Sequence, residues 1–333
     1  MRGLSLTKQG MNIDDAGSEA FARFLEFETT FDQGFKFSVA GLMHLERVVG
    51  GSGGPTIIRG LIADTGTNWR GDDDWTKPVE LVRRVLRETT LLAIVQLQSA
   101  IDDFITSLDG DLSRWNSFLQ KPAPPGTSNA GGQTQDPEQL EVFCASRGWS
   151  CVGFDGLRPV LRFFRFVRNC VAHRRAYASR GLVACRDSDE LELALRNWNK
   201  RPAVHGPTLP TLKVDVPIDL DPRHVILAIE ATHRACAYVN SLARAEFGRD
   251  GLVYLAAHYG LLVEDPETFG GAYATPDAVV NEILVDRYHV ASLSPDDTIK
   301  VLKRIGIWRR CLYSHRRIFE YPPKPRTRGK VAG

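Results

Sequence analysis

The stretch Lys77–Leu108, KPVELVRRVLRETTLLAIVQLQSAIDDFITSL, decides the fold class of this chain. Its apolar residues recur every three or four positions, which is the repeat of one face of an α-helix. Pro78 suits the first helical turn, where the N–H that proline lacks would have no partner. The spacing therefore predicts one long amphipathic helix over 77–108.

The same repeat predicts further helices along the chain. They cover 157–174, 188–198 and 221–247, and two more begin at Thr275-Pro276 and Ser294-Pro295, the last running towards Arg317. Two other segments differ in composition. Lys121–Glu138 is rich in Pro, Gly and Ser and is predicted to be a mobile loop, and Lys200–Arg223 is predicted to be extended because its apolar residues alternate.

The N-terminal 76 residues contain two β-rich stretches, Phe35–Val39 and Thr56–Ile62, on either side of the glycine-rich loop Gly50–Pro55. That loop has neither a following Lys-Ser/Thr nor a G-x-G-x-x-G pattern, so it predicts a turn or hairpin and not a phosphate site. We expect a mainly α protein with an N-terminal α+β accessory region over 1–76. A helical domain over 77–247 and a C-terminal helical extension over 248–333 follow.

Composition excludes several classes of protein. The chain has 333 residues, of which 25% are charged and 43% hydrophobic, so it is neither a disordered tail nor a collagen-like or disulfide-rich protein. Its six cysteines form no C-x-x-C pair and no zinc spacing, so buried free thiols and no metal or cofactor are expected. Without a secretory leader or a long apolar run, we expect a cytoplasmic protein with no membrane association.

The net charge of +2 hides an uneven distribution. Residues 300–333 contain eleven Lys or Arg and one acid, a charge of +10, so residues 1–299 carry −8. In this basic tail, cations alternate with aromatic residues such as Trp308, Tyr313 and Tyr321. That mixture suits single-stranded nucleic acid, which we interpret as RNA. It also suits an acidic protein partner or the acidic body of this chain. The predicted RNA contacts are Arg309, Arg310, Arg316 and Arg317.

A second cationic segment is Arg158–His173, RPVLRFFRFVRNCVAH. On a helix its apolar residues cover one side and its polar residues the other; the latter are Arg158, Arg162, Arg165, Asn169 and His173, with Arg168 at the margin. Like charges four residues apart repel each other, so an anion such as RNA is a natural partner for this face. Alternatively, acids of another helix, for example Asp102, Asp103 or Asp109, neutralise Arg158 and Arg162.

The end of this segment, Arg168-Asn169 followed by His173, resembles the R-x4-6-H signature of the HEPN superfamily. The resemblance covers about residues 77–247. It implies a small helical bundle and a metal-independent ribonuclease of the kind found in bacterial toxin and phage-defence systems, with a partner protein of such a system as a further ligand. The same spacing recurs at Arg310–His315, without the Asn.

The residue types fit RNA cleavage. His173 can take or supply a proton near neutral pH, and Arg168 can stabilise the scissile phosphate. Asn169, one helical turn before His173, can orient His173 or the phosphate. Arg168 and His173 point about 140° apart on an ideal helix. This geometry suits a cleft shared by two protomers, and the resemblance implies the same homodimer. Arg174 and Arg175 complete the predicted RNA contacts.

Two alternatives remain for the function. His173, with Arg174 and Arg175, suits a helix C-terminus, where the macrodipole stabilises cations, so the chain can be a catalytically inactive RNA-binding or dimerisation module. The C-terminal helices can also form a helix-turn-helix, which would make the chain a DNA-binding regulator.

Overall fold

The computed structural model describes residues 17–66, 75–121, 139–199, 208–263 and 275–320, and they form a mainly helical protein, as predicted. Its α-helices within these ranges are α1 (Glu19–Val49), α2 (Gly54–Asp64), α3 (Pro78–Phe118), α4 (Gln139–Ser146), α5 (Arg158–Arg174), α6 (Arg180–Arg186), α7 (Asp189–Asn199), α8 (Pro222–Ala257), α9 (Pro276–Tyr288), α10 (Pro295–Arg304) and α11 (Trp308–His315). A 3₁₀ turn covers Val152–Phe154, and π turns cover His258–Leu262 and Arg316–Glu320. The described residues contain no β-strand, only an antiparallel bridge between Tyr177 and Pro217.

The helix predicted over 77–108 is present and longer than expected. α3 begins at Pro78 and ends at Phe118, because Leu112 and Trp115 continue its buried stripe. Among the described residues, α3 alone is long and apolar enough to cross a membrane, and 44% of its most apolar window is buried inside the protein. A core helix has the same composition, so the absence of membrane association stays a prediction.

The predicted β structure of the N-terminal region is wrong. Phe35–Val39 lies in α1 and Thr56–Ile62 lies in α2. The short β-rich windows belong to a longer helical repeat, in which Phe27, Phe31 and Phe35 stack with ring centroids 5.3 and 6.1 Å apart. Tertiary packing of such a repeat overrides the β propensity of a few residues.

The glycine-rich loop joins these two helices as a tight turn, as predicted, and it is not a hairpin between strands. A Cβ atom on Gly54 would lie 2.2 Å from the carbonyl oxygen of Val49 and 2.9 Å from the ring of Pro78. Glycine is therefore required where the start of α2 touches the end of α1. Val49, Ile58 and Val82 form a small apolar core beneath the turn.

The predicted central helices are present as α5, α7 and α8. α8 continues past the predicted end at Phe247, and Gly248, with φ of 56°, kinks the helix at that point. The short helices α4 and α6 were not predicted, because seven or eight residues show too little of the helical repeat.

The predicted last helix is divided in two. α10 begins after Ser294, whose hydroxyl accepts a hydrogen bond from the N–H of Asp297, and it ends at Arg304. Gly306 adopts φ of 79°, a left-handed conformation that ends a helix, and α11 begins two residues later. The expectation of one continuous helix towards Arg317 is therefore wrong.

The segment 208–221, which we call the strap, has no helix, in agreement with the extended conformation predicted for 200–223. Leu212, Ile218 and Leu220 are buried, but Val214 and Val216 are exposed, so the predicted one-sided packing holds only in part. Residues 200–207 and the predicted mobile loop beyond Lys121 lie outside the described residues.

Packing divides the described residues into two compact units. The α5 unit comprises 23–66, 75–105, 139–199 and 208–238, and the α11 unit comprises 17–22, 106–121, 239–263 and 275–320. α1, α3 and α8 contribute residues to both. The predicted site around His173 lies in the α5 unit, and the described part of the basic tail lies in the α11 unit.

Candidate functional site

Helix α5 is anchored by one apolar face. Phe163, Phe164, Val167 and Cys170 are almost fully buried, and burial of each large side chain contributes roughly 1.5–3 kcal/mol. α5 packs against α6 and α7, which are close to it in sequence. The opposite face carries the cationic residues, and its two ends have different surroundings.

At the N-terminal end of α5, carboxylates neutralise the arginines. The Nε of Arg158 donates a hydrogen bond to Oε1 of Glu141 at 2.6 Å, and Nη2 lies 3.8 Å from Oδ1 of Asp155. The hydrogen bond to Glu141 raises the pKa of Arg158 above its ordinary value. Nη1 of Arg162 lies 3.6 Å from Oε2 of Glu190. The predicted alternative of neutralisation by acids thus applies to both residues. The carboxylates found here, Glu141, Asp155 and Glu190, are not the predicted Asp102, Asp103 or Asp109.

The middle of the cationic face is partly buried. The Cζ of Arg165 lies 5.8 Å from the centre of the Phe166 ring. One turn later, Nη1 of Arg168 donates a hydrogen bond to Oδ1 of Asn169 at 3.1 Å. The two adjacent residues of the predicted motif therefore contact each other, and the amide holds one edge of the guanidinium.

The C-terminal end of α5 is exposed. His173, Arg174 and Arg175 are all exposed, and Arg174 forms an ion pair with Asp215 of the strap. Within the described ranges, neither the His173 ring nor the Arg175 guanidinium makes a hydrogen bond or ion pair. An imidazole and a guanidinium that face solvent are available to a ligand, unlike the arginines at the other end of the helix.

The strap fixes the backbone at this exposed end. The N–H of Ala178 donates to the carbonyl of Val216 at 2.9 Å, and the N–H of Ile218 donates to the carbonyl of Ala176 at 2.8 Å. Arg186 of α6 holds the other end of the strap through the carbonyls of Leu209 and Pro210. These bonds hold the residues that follow His173 in one conformation.

Three non-glycine residues with left-handed backbone meet here. Arg175 has φ of 52°, Ala176 65° and Asp215 59°. Each costs roughly 1–2 kcal/mol relative to a right-handed conformation, and such residues cluster at functional sites. Asp215 and Glu141 were not identified from the sequence, because their partners lie 41 and 17 residues away.

The C-terminal candidate residues lie on α11 and the π turn that follows. Arg309, Arg310, Arg316 and Arg317 are exposed, and none makes an ion pair with another described residue. Tyr313 is 71% exposed, whereas His315 is 4% exposed and packs against Phe319, with ring centroids 4.9 Å apart. Of the aromatic residues predicted to stack on RNA, Tyr313 is the most open, and Tyr321 lies outside the described residues.

The titratable groups described next lie outside the two candidate sites and contribute to packing and side-chain pairing. Nδ1 of His233 lies 2.7 Å from Oε2 of Glu28, and this contact raises the pKa of His233. Glu230 pairs with Arg234. No group of three or more potential metal ligands occurs among the described residues. Five of the six free cysteines are buried, as predicted, and burial raises the pKa of Cys144 to about 12.

Comparison with known proteins assigns no family or function to this chain. No family model, curated protein or solved structure matches this chain. The interpretation of the site therefore depends on its residues and their geometry.

Proposed function

We propose that this chain is an endoribonuclease that cleaves single-stranded RNA without a metal ion, at the C-terminal end of α5. The observation that carries the proposal is the exposed His173 ring, placed beside Arg174 and Arg175 on a backbone that the strap holds in a strained conformation. The resemblance to the HEPN superfamily supports the same assignment. The enzyme acts in the cytoplasm as a toxin or phage-defence effector, together with a partner protein.

The reaction needs one proton acceptor, one proton donor and fixed positive charge. His173 takes the proton of the 2′-hydroxyl, whose oxygen attacks phosphorus. The P–O5′ bond breaks as the leaving 5′-oxygen takes a proton from water, and His173 returns its own proton to the solvent. The products are a 2′,3′-cyclic phosphate and a 5′-hydroxyl. Arg168 stabilises the charge of the transition state through its planar N–H donors, and Asn169 holds the edge of that guanidinium.

The proposed active form is a homodimer. Arg168 and His173 lie five residues apart, so their side chains leave α5 about 140° from each other. One phosphate can meet both groups if His173 comes from one protomer and Arg168 from its partner across a two-fold axis. Arg165 and Arg175 then contact RNA nearby. The carboxylates that hold Arg158, Arg162 and Arg174 make these three weaker candidates.

A cleavage assay tests the chemistry. The full-length protein with excess EDTA is incubated with a 5′-labelled single-stranded RNA, and the products are analysed for a 2′,3′-cyclic phosphate. We expect cleavage by the wild type, and loss of it in His173→Ala and in Arg168→Ala. Arg84→Ala is the control, because Arg84 is an exposed arginine of α3. Cleavage that persists in His173→Ala would refute the mechanism.

A mixing experiment tests the shared cleft. If each site combines His173 of one protomer with Arg168 of the other, a mixed dimer of the two inactive variants has one intact site out of two. Random exchange then restores about a quarter of the wild-type activity. A cleft within a single chain gives no recovery on mixing.

Expression in bacteria should be toxic for the wild type and harmless for either variant.

The inactive RNA-binding or dimerisation module remains the alternative. It predicts that the wild type binds single-stranded RNA and dimerises, but yields no cyclic phosphate, and that His173→Ala changes neither property. The favourable position of His173 at a helix C-terminus is sufficient to explain its presence in that case.

A further inference from the structure

Helices α9, α10 and α11 form a small three-helix assembly within the α11 unit. Each of the three helices packs against the other two. Their shared core contains Val280 and Ile283 of α9, Leu302 of α10 and Cys311 of α11, all nearly inaccessible to solvent. Asn281 of α9 also ties the start of α10, because its Oδ1 accepts hydrogen bonds from the hydroxyl of Thr298 and the N–H of Leu293.

The connection between α10 and α11 is a tight turn of three residues, Ile305–Ile307. The N–H of Ile307 donates to the carbonyl of Leu302 at 3.0 Å, and the N–H of Gly306 donates to that of Lys303 at 3.1 Å. With Gly306 at φ of 79°, these bonds form a Schellman motif. Two helices joined by a short glycine turn and backed by a third resemble a helix-turn-helix, whose second helix enters the major groove of DNA.

The exposed face of α11 and the π turn after it has the composition that such a helix needs. Arg309 and Arg310 precede the exposed Tyr313 by four and three residues, and Arg316 and Arg317 follow it by three and four, so all five share one outward face. The neighbouring Arg304 of α10 instead pairs with Asp250. Arg304 is thus neutralised, while the outer face of α11 and the π turn after it carries four arginines.

We propose that α10 and α11 are a helix-turn-helix that binds duplex DNA, with α11 as the recognition helix. Arg309, Arg310 and Tyr313, in the first part of α11, contact base edges in the major groove, and Arg316 and Arg317 contact phosphates. Arginine makes paired hydrogen bonds to guanine, and its fixed charge suits the phosphate backbone. The proposal goes beyond RNA cleavage, and it assigns to duplex DNA four arginines for which the sequence predicts RNA contacts.

The choice of duplex DNA over single-stranded RNA follows from shape. Proteins that bind single strands need a groove with several open aromatic faces. Among the described aromatic residues of α11 and the π turn after it, Tyr313 alone is largely exposed, since Trp308 and Phe319 are partly covered and His315 is buried. A single convex helix with a cationic outer face instead fits the major groove, which is about 12 Å wide.

Binding measurements with the full-length chain test the proposal. The His173→Ala background is used, so that RNA probes stay intact whether or not the proposed nuclease activity is real. The probes are labelled 30-base-pair duplex DNA of random sequence, single-stranded RNA of the same length and polyglutamate, each at 150 mM salt. We expect duplex DNA to bind at least ten times more tightly than polyglutamate, and RNA to bind through α5 independently of α11.

Charge reversal locates the surface. The double variant Arg309→Glu/Arg310→Glu should weaken duplex binding by about tenfold to a hundredfold. The Arg316→Ala variant should weaken binding to all duplexes alike and reduce the slope of log K against log salt by about one. The control Arg59→Glu/Arg84→Glu has the same net charge but changes exposed arginines of α2 and α3, so it should bind DNA almost as well as its parent.

The outcomes separate the two proposals. The helix-turn-helix assignment would be overturned by equal effects of both double variants on duplex binding, or by duplex binding no tighter than polyglutamate binding. It would also be overturned if Arg309→Glu/Arg310→Glu weakened RNA binding more than duplex binding. Because the substituted residues are exposed, we expect the thermal unfolding temperature of each variant to equal that of its parent. An unchanged unfolding temperature would show that a loss of binding is not caused by a loss of folding. RNA cleavage that survives in Arg309→Glu/Arg310→Glu on a wild-type His173 background shows that the nuclease proposal stands independently.

Discussion

The chain contains the same arginine–histidine spacing twice, at Arg168–His173 and at Arg310–His315, and the two histidines have opposite environments. His173 is exposed at the end of α5, beside Arg174 and Arg175. His315 is 4% exposed at the end of α11 and packs against Phe319. Both segments are cationic helices of similar composition, so the spacing alone does not distinguish them.

The difference comes from the side of each helix that is packed. On α11, His315 follows the buried Cys311 by four residues and thus lies on the same buried face. On α5, His173 follows the buried Val167 by six residues, which places it about 120° from that face. A histidine motif therefore indicates chemistry only when the packed face of its helix is known.

The largest effects are expected when each of the two histidines is replaced by alanine, one affecting RNA cleavage and the other stability. His173→Ala should lower the rate of RNA cleavage by about 10²–10⁴-fold while hardly changing stability, because the ring is exposed. His315→Ala should instead lower the free energy of unfolding by about 2 kcal/mol, because it leaves a gap in the packing, and should retain cleavage below the unfolding temperature. Single-turnover cleavage and urea unfolding measure the two effects. If His173→Ala lowered stability and His315→Ala abolished cleavage, the roles assigned to the two histidines would be wrong.

The two ends of α5 provide the next test. Arg158→Gln leaves the nearly buried carboxylate of Glu141 without its cation, so we expect unfolding to become easier by about 1–3 kcal/mol. Arg175→Gln removes an exposed cation, so it should weaken RNA binding several-fold with little effect on stability. Urea unfolding and RNA anisotropy measure both variants. If Arg158→Gln weakens RNA binding as strongly as Arg175→Gln, the carboxylates near Arg158 do not keep it from RNA, and the proposed difference between the two ends of α5 is wrong.

A smaller effect is expected at the ends of α5 and α10, which both need left-handed residues. α10 uses Gly306, whereas α5 uses Arg175 and Ala176. Gly306→Ala should therefore destabilise the protein by about 1 kcal/mol, and Ala176→Gly should stabilise it by a similar amount. Gly41→Ala, in an exposed and open helical position of α1, is a control that should be mildly stabilising. Thermal unfolding that responds equally to both glycine-to-alanine changes would show that no strain exists at Gly306.

The smallest effect concerns a third histidine, His233, whose partner is a carboxylate. Glu28 raises its folded pKa above the ordinary 6.5, so this contribution is present below pH 6.5 and is lost as the pH rises through the folded pKa. Because His233 is 41% exposed, the effect should stay below about 1 kcal/mol. Urea unfolding at pH 6 and pH 8 should show a smaller pH dependence in Glu28→Gln than in the wild type, and an unchanged dependence would exclude the pair as its source.

Long helices with a clear apolar repeat were predictable, and short or interrupted elements were not. α3 and α5 begin within one residue of their predicted starts, since both carry proline in the first turn. The break at Gly306 was missed because the apolar repeat continues through Ile305 and Ile307 into α11. The β-rich window Phe35–Val39 was misjudged because five residues are too few to separate a strand from part of a 31-residue helix.

The candidate site was predictable as a set of residue types and not as an environment. The helical wheel placed the cations of α5 on one face. It did not reveal that Glu141 and Glu190 neutralise one end, while the other end stays exposed with Arg174 paired to Asp215. Glu141 and Glu190 lie on separate helices, and Asp215 lies on the strap. Charge neutralisation across such sequence distances depends on which elements pack together.

The sequence by itself determined the helical class, the positions of the long helices and the two concentrations of positive charge, because these follow from local periodicity and composition. The tertiary structure alone decided which arginines are neutralised and which of the two equally spaced histidines is exposed to solvent. It also decided that a tight glycine turn joins α10 and α11. Those features depend on burial and on contacts between residues that are distant in the chain, and a local pattern carries no information about either.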